Sequence, residues 1–291
     1  PFRIAQALLA AGLPAESVGF YPTDYAGAAE ILRRCGRSML IGDRSTVDPW
    51  LAEPPVQIHR PGWSTVVIGP DQADSWQSYI DLMVDSVMTN CGRSCVNASG
   101  VWTAGHGRSI AEALAARLAA VEALPLEDPQ ASLAAFPSIA AAHRMSTHID
   151  SQLAIPGAVD LTAELRDGVR VAEADGCAFM LPTVIYCEDP GHPLAAAEFL
   201  FPFVTVVEVS SDQLVERMGP TLVATALTDD PELQFALMTA THVDRLNLGA
   251  VPTCSVAWDQ PHEGNLFEHL FQQRALQAPK LEQALGSVSV G

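Results

Sequence analysis

The sequence predicts an α/β fold in which mostly parallel strands are joined by crossover helices. Two observations predict it. Short runs rich in Val and Ile, bounded by Gly, Pro or Asp, alternate along the chain with longer stretches whose apolar residues recur at helical spacing. The chain is also long and apolar enough to fill such a fold: 291 residues, 48% of them hydrophobic and 17% charged, suit one large or two ordinary domains with a sizeable buried core. Strand–helix alternation implies parallel pairing, because a chain that returns to the same edge of a sheet needs a crossover connection.

Taken in order, the chain opens with Ile4, Leu8 and Leu9 at helical spacing, without a basic leader region, and stops at Gly12-Leu13-Pro14. That pattern predicts an amphipathic helix and not a secretory signal. Strands follow at 17–21, 38–41, 56–59, 65–68 and 100–103, then at 183–187, 203–209, 222–227 and 244–248. Helices fall between them at 26–34, 75–89, 109–124, 138–153, 211–218 and 231–241. Ser109, Ser138 and Ser211 are the expected N-caps, since a serine hydroxyl can accept from an otherwise unpaired amide of the first turn. Residues 125–136, with their Pro and Asp, form a connector. No internal repeat and no low-complexity tract interrupts the pattern. The chain opens at Pro1 without Met and reads as a piece of a longer polypeptide.

Composition narrows the function. Sixteen basic residues against 34 acidic ones leave a net charge of −18, which repels a nucleic-acid backbone or an anionic membrane surface, so neither is an expected partner. No window approaches the roughly 18 apolar residues of a membrane span. Cys35, Cys91, Cys95, Cys177, Cys187 and Cys254 make no CxxC pair and no zinc-like cluster, which points to a reducing cytoplasm. His242 with Asp244, and the run Asp259 to Glu263, match no ligand spacing, so no metal is assigned.

The most informative stretch is Asn90-Cys91-Gly92-Arg93-Ser94-Cys95-Val96-Asn97-Ala98. It follows an apolar helix and precedes a strand. A cysteine in such a loop, beside Arg93 and among backbone amides, has the ingredients of an activated thiol, because a nearby cation favours the nucleophilic thiolate. A buried structural cysteine is the bland alternative, and local chemistry leaves both open.

Several segments then fall in the order of one family. Asn90-x-Gly92-x-x-Cys95 resembles the signature around the nucleophilic cysteine of the aldehyde dehydrogenase superfamily. Pro61-Gly62-Trp63-Ser64, a strand and Asp71 resemble the stretch that precedes it. Glu198-Phe199-Leu200-Phe201-Pro202 is similar to the family's E-x-F-G-P, and Thr225 to Asp230 with Leu246-Asn247-Leu248-Gly249 resembles its strand–helix–V-N element. Upstream, Ala11-Gly12-Leu13-Pro14, Tyr21-Pro22 and Gly27 match the run that opens a cofactor-domain helix, and Leu40-Ile41-Gly42-Asp43 stands where F-T-G-S is expected.

The resemblance implies a three-layer aldehyde-dehydrogenase-like fold, with residues 1–60 the remainder of a Rossmann-like NAD(P)-binding domain, 61–256 the catalytic domain and 257–291 a C-terminal helix and tail. It implies that Cys95 attacks an aldehyde, that NAD or NADP accepts the hydride and that a thioester remains on Cys95, or that the same steps run in reverse on an acyl thioester. Glu198 is carried over as the carboxylate that holds the nicotinamide ribose, with Gly42 and Gly27 on the cofactor side. The bland readings are a solvated loop carboxylate for Glu198 and a simple turn for Gly42. The family also implies a homo-oligomer.

The departures bear on chemistry. The family's glutamate base lands on His59, a residue type that can serve as a general base and that is equally well read as a half-buried strand histidine. Asp43 replaces the serine that meets the pyrophosphate, and Pro261-His262-Glu263-Gly264 stands near the expected P-F-G-G. The matched motifs correspond to the C-terminal part of the family's chain. Two rival readings follow: a non-catalytic subunit that keeps the fold, and a Cys95/His59 acyl hydrolase that uses no dinucleotide.

Overall fold

The computed structural model describes residues 2–42, 44–53, 56–257, 259–260 and 266–271. Its elements are, in chain order, α1 (Phe2–Ala10), α2 (Tyr25–Arg34), β1 (Ser38–Ile41), α3 (Arg44–Val47), β2 (Val56–His59), β3 (Ser64–Ile68), α4 (Ile80–Met88), β4 (Ala98–Thr103), α5 (Gly107–Leu118), α6 (Ile139–Leu153), β5 (Ala158–Asp160), α7 (Leu161–Glu164), β6 (Val171–Ala174), β7 (Cys177–Met180), β8 (Thr183–Cys187), β9 (Phe203–Glu208), α8 (Leu214–Arg217), β10 (Thr221–Leu227), α9 (Pro231–Thr239), β11 (Val243–Leu248) and α10 (Leu266–Leu270). Asp43, Trp258 and Pro261-His262-Glu263-Gly264 lie outside the described residues.

The described residues form two compact units, one ending at His59 and including α10, the other starting at Arg60. In the first, β1 and β2 pair in parallel from Ser38↔Val56 to Ile41↔His59. Asp24 caps α2 by accepting from Gly27 N at 2.9 Å.

The second unit is built on a seven-stranded sheet in the order β11-β10-β3-β4-β9-β8-β5. Every pairing is parallel except β5 with β8. Successive side chains of a strand point to opposite faces, and both faces here are apolar. On one face Val66, Ile68, Val101, Val204 and Val206 meet α4 and α5 through Met83, Val87, Ile110 and Leu114. On the other, Val67, Trp102, Phe203 and Val207 meet α6, α8 and α9 through Ile149, Leu214, Leu233 and Leu237. Helices on both faces make three layers, and the near-continuous apolar strands are what burial on both sides demands.

The alternation expected from sequence is present, with local differences. Residues 17–21 form no strand: Pro14 starts a 3₁₀ turn at Ala15–Ser17, and Phe20 and Tyr21 are exposed beside Gly19 and Pro22. Helix α5 starts two residues before Ser109, because a distant carboxylate caps it, Glu208 Oε2 accepting from Gly107 N at 2.7 Å. Ser211 is not a cap either, since its segment opens as a 3₁₀ turn after Ser210. Ser138 does cap α6, its hydroxyl accepting from Ala141 N. Strands β5, β6 and β7 were not expected. Among the described residues no helix is long and apolar enough to cross a membrane.

Candidate active site

The cysteine-bearing loop begins where α4 gives out. Asn90, Cys91 and Gly92 take successive left-handed conformations, with φ of 53°, 59° and 65°. Each non-glycine residue held there costs about 1–2 kcal/mol, which asparagine tolerates best. Gly92 is required at this point, since a Cβ on it would lie 2.4 Å from Pro202 N. The left-handed turn redirects the chain into a second turn closed by Asn97 N donating to Ser94 O at 2.9 Å. Cys95 sits inside that second turn, half-buried.

Two further segments clamp it. Ser64 Oγ, at the start of β3, donates to Cys95 O at 2.7 Å, and a Cβ on Gly62 would fall 2.0 Å from the same oxygen. The preceding loop turns at Trp63, with φ 43°, whose backbone N–H donates to Glu198 Oε2 at 2.5 Å. The Glu198 loop is held in place by its rings: Phe199 stacks on Phe201 and meets Phe203 edge-on at 4.7 Å. A cavity of about 10 Å³ lies between the loops, lined by Ser94, Asn97, Ser99 and Glu198, roughly the volume one water needs.

Cys95, Gly62, Gly92 and Glu198, drawn from three separate motifs in the sequence, therefore share one place. The Arg93 guanidinium donates to the carbonyls of Leu200, Ala134 and Ala135 and lies over the Phe136 ring at 5.4 Å, so it braces the loops. Sequence reasoning quoted Ser64 and Asn97 within its motifs but gave neither a role. A polar side chain two residues past the cysteine, just after a helix end, was the available signal. Of the other cysteines, Cys187 is fully buried in β8, and burial, followed by nearby Asp189, pushes its thiol up to about 12.

The remaining expected residues lie in the smaller unit. His59 is buried at the end of β2, and its carbonyl accepts from Gly42 N at 3.3 Å. A Cβ on Gly42 would meet Thr46 Cβ at 2.9 Å, and one on Gly27 would meet Thr23 Oγ1 at 1.8 Å. Gly42 thus lets the turn after β1 close tightly, and Gly27 lets Thr23 pack against the first turn of α2. Just beyond them a cleft of about 350 Å³ is lined by Tyr25, Ala28, Leu32, Leu40, Thr46 and Trp50 among others, an apolar slot with two rings, suited to a planar ligand.

No family model matches the chain, and no curated protein does. Solved structures match it. An aldehyde dehydrogenase of Bacillus cereus in complex with NAD+ superposes with a TM-score of 0.66 at 20% identity, over 82% of this chain and 49% of its own. The fold is that of the aldehyde dehydrogenases. A glyceraldehyde-3-phosphate dehydrogenase of Methanocaldococcus jannaschii, complexed with NADP, matches over 91% of this chain and 58% of its own, with a TM-score of 0.72 at 12% identity. Aldehyde dehydrogenase 21 of Physcomitrella patens, bound to succinate, matches over 83% and 50%, with a TM-score of 0.66 at 17% identity. The chain thus spans about half the length of these aldehyde dehydrogenases.

Proposed function

We propose that the protein oxidises an aldehyde, or in reverse reduces an acyl thioester, with Cys95 as the nucleophile and NAD or NADP as the redox partner. The observation that carries this reading is the convergence on one cysteine turn of three segments far apart in sequence. Gly62 and Ser64 close on the Cys95 carbonyl, Gly92 closes on Pro202, and the Glu198 carboxylate reaches the Trp63 amide from 135 residues away. The fold and the family resemblance of these same motifs support it further.

The Cys95 thiolate attacks the carbonyl carbon to give a thiohemiacetal, and backbone amides of its turn hold the oxygen as it gains charge. When bound, the dinucleotide supplies the hydride acceptor, and the carbonyl carbon is left as a thioester on Cys95. Glu198 offers a carboxylate to ribose hydroxyls, in exchange for its bond to Trp63 N–H. The apolar cleft beside Gly42, with Trp50 and Tyr25 in its lining, fits an adenine ring. His59 is the proposed base for release of the acyl group, in place of a carboxylate. Residues up to about 60 belong, on this reading, to the cofactor domain, 61–256 to the catalytic domain and 257–291 to a C-terminal helix and tail, and the functional protein is a soluble homo-oligomer acting in the cytoplasm.

The bond from Trp63 N–H to Glu198 favours one other reading, a subunit that keeps the fold and has turned the ribose carboxylate into a structural tie. Cysteine-resolved alkylation with iodoacetamide between about pH 5.5 and 9 separates the two, because a nucleophilic thiol reacts well below the usual value near 8.5. Cys95 should react ahead of exposed Cys35, and Cys95→Ala should abolish aldehyde-dependent NAD(P)H formation. A Cys95 no faster than Cys35 would leave the structural reading standing.

A further inference from the structure

Asn97 has a place in the fold that the reaction outlined above does not use. Its side chain is almost fully buried, with 6% exposed, and it makes bonds in two directions. Oδ1 accepts from the backbone N–H of Ser94 at 2.9 Å, on the residue before the proposed nucleophile. Nδ2 donates backwards, to Thr89 O at 2.8 Å and Ser86 O at 3.0 Å. Those oxygens belong to the end of α4, where helix carbonyls lack amide partners and carry the negative end of the helix dipole. The left-handed run from Asn90 to Gly92 ends α4 directly before the cysteine turn. Asn97 Nδ2 thus engages carbonyls that the end of α4 leaves without amide partners, right beside the cysteine turn.

We propose that Asn97 is the positioning residue of this site, its carboxamide joining the end of α4 to the Ser94–Asn97 turn so that Cys95 is held in one orientation while the α4 carbonyls beside the turn stay engaged. This rests on Cys95 being the nucleophile. An amide suits the task because it presents an acceptor and a two-proton donor from one planar group, and the turn needs both.

Other charged and thiol groups also face the turn. Glu198 lines the same small cavity, and Cys254 packs with Cys95 on Val96, Leu222 and Val223. Arg93 is engaged with the carbonyls of Leu200, Ala134 and Ala135, and Asp85 meets the Cys254 thiol through its backbone oxygen.

The test is cysteine-resolved alkylation across pH on the whole chain, comparing wild type with Asn97→Ala and Asn97→Asp. Asn97→Ala removes both bonds without adding charge. Asn97→Asp keeps the shape and the Ser94 bond and sets an oxygen against the α4 carbonyls. Protection of buried Cys187 reports that the fold survives. The expected result is that the Cys95 midpoint rises in both variants, with alkylation at neutral pH slowed about tenfold for each unit of rise, while Cys187 stays protected. An unchanged Cys95 midpoint in Asn97→Ala with Cys187 protected overturns the inference. If Asn97→Ala exposes Cys187, Asn97→Asp decides by the same criterion, and loss of Cys187 protection in both variants means that Asn97 serves only to hold the fold, which also overturns it. A wild-type Cys95 that reacts like Cys35 is a different failure: it removes the nucleophile reading and this inference with it.

Discussion

A methyl group added at Gly92 would meet the backbone nitrogen of Pro202 at 2.4 Å, on a residue already at φ 65°. Neither loop can move away cheaply, because Arg93 and the phenylalanine cluster pin the far side. Gly92→Ala should therefore cost at least about 1–2 kcal/mol in urea unfolding and slow Cys95 alkylation more than that of the other thiols. Gly62→Ala, with its Cβ 2.0 Å from Cys95 O, should do the same. Cys187 carries a prediction of a different kind. Its thiol is raised from an ordinary 9.0 to about 12, so folding favours the protonated form. The resulting stability is complete below pH 9 and is lost as pH climbs towards 12. Cys187→Val should flatten the alkaline limb of a stability curve, in part only, because burial raises Tyr186 as well. At this scale Gly62, Gly92, Cys95 and Glu198 were legible in the sequence because each sits in a short local string. Asn97 was not, because its meaning depends on carbonyls of a helix end 8 to 11 residues earlier.

Among the elements, the β6–β7 hairpin shows how a signal can be present and go unread. Asp175 and Gly176, with φ of 47° and 72°, are a two-residue D-G turn between paired strands, the combination that suits the twist of a hairpin. Its strands alternate weakly, Ala172 and Ala174 offering little contrast, so apolar periodicity alone passes over them. Strand β5 is only three residues long and has no periodicity to find. The expected strand at 17–21 failed for the opposite reason, since its apolar residues had no neighbouring strand to bury them. Gly176→Val should lower stability by about 1–2 kcal/mol, read by urea unfolding, and leave Cys95 reactivity unchanged. Arg170 ties this region together: buried beneath α6, it bonds Asp160 Oδ2 and Asp150 Oδ1, each at 2.8 Å, and Ser146. Arg170→Ala strands the Asp160 carboxylate and should cost about 3–5 kcal/mol, visible as a large drop in Tm.

For the whole molecule, sequence pattern was sufficient for the fold class because a doubly covered parallel sheet writes itself as apolar strands separated by amphipathic helices. Strand order was not legible, since nothing local says that β10 lies beside β3. The net charge of −18 acts on the molecule as a whole and opposes compaction by self-repulsion. Raising NaCl from about 0.01 to 0.5 M shortens the screening length from about 30 Å to below 10 Å and should raise Tm steadily, and a flat response would mean that the charges are already balanced locally.

The strand order also sets a timetable. Strand β3 is flanked by β4, which follows soon after it, and by β10, made much later, and beyond these strands Thr228 reaches Asp71 from 157 residues away. A chain leaving the ribosome holds β3 and the cysteine turn exposed on one side until residue 227 has emerged, and such non-local closure is slow. Glu198 and Pro202 join the turn only in the same late interval. During synthesis the thiol is therefore present long before the walls that would govern its chemistry, and how fast β10 docks decides how long it stays open to unwanted reaction.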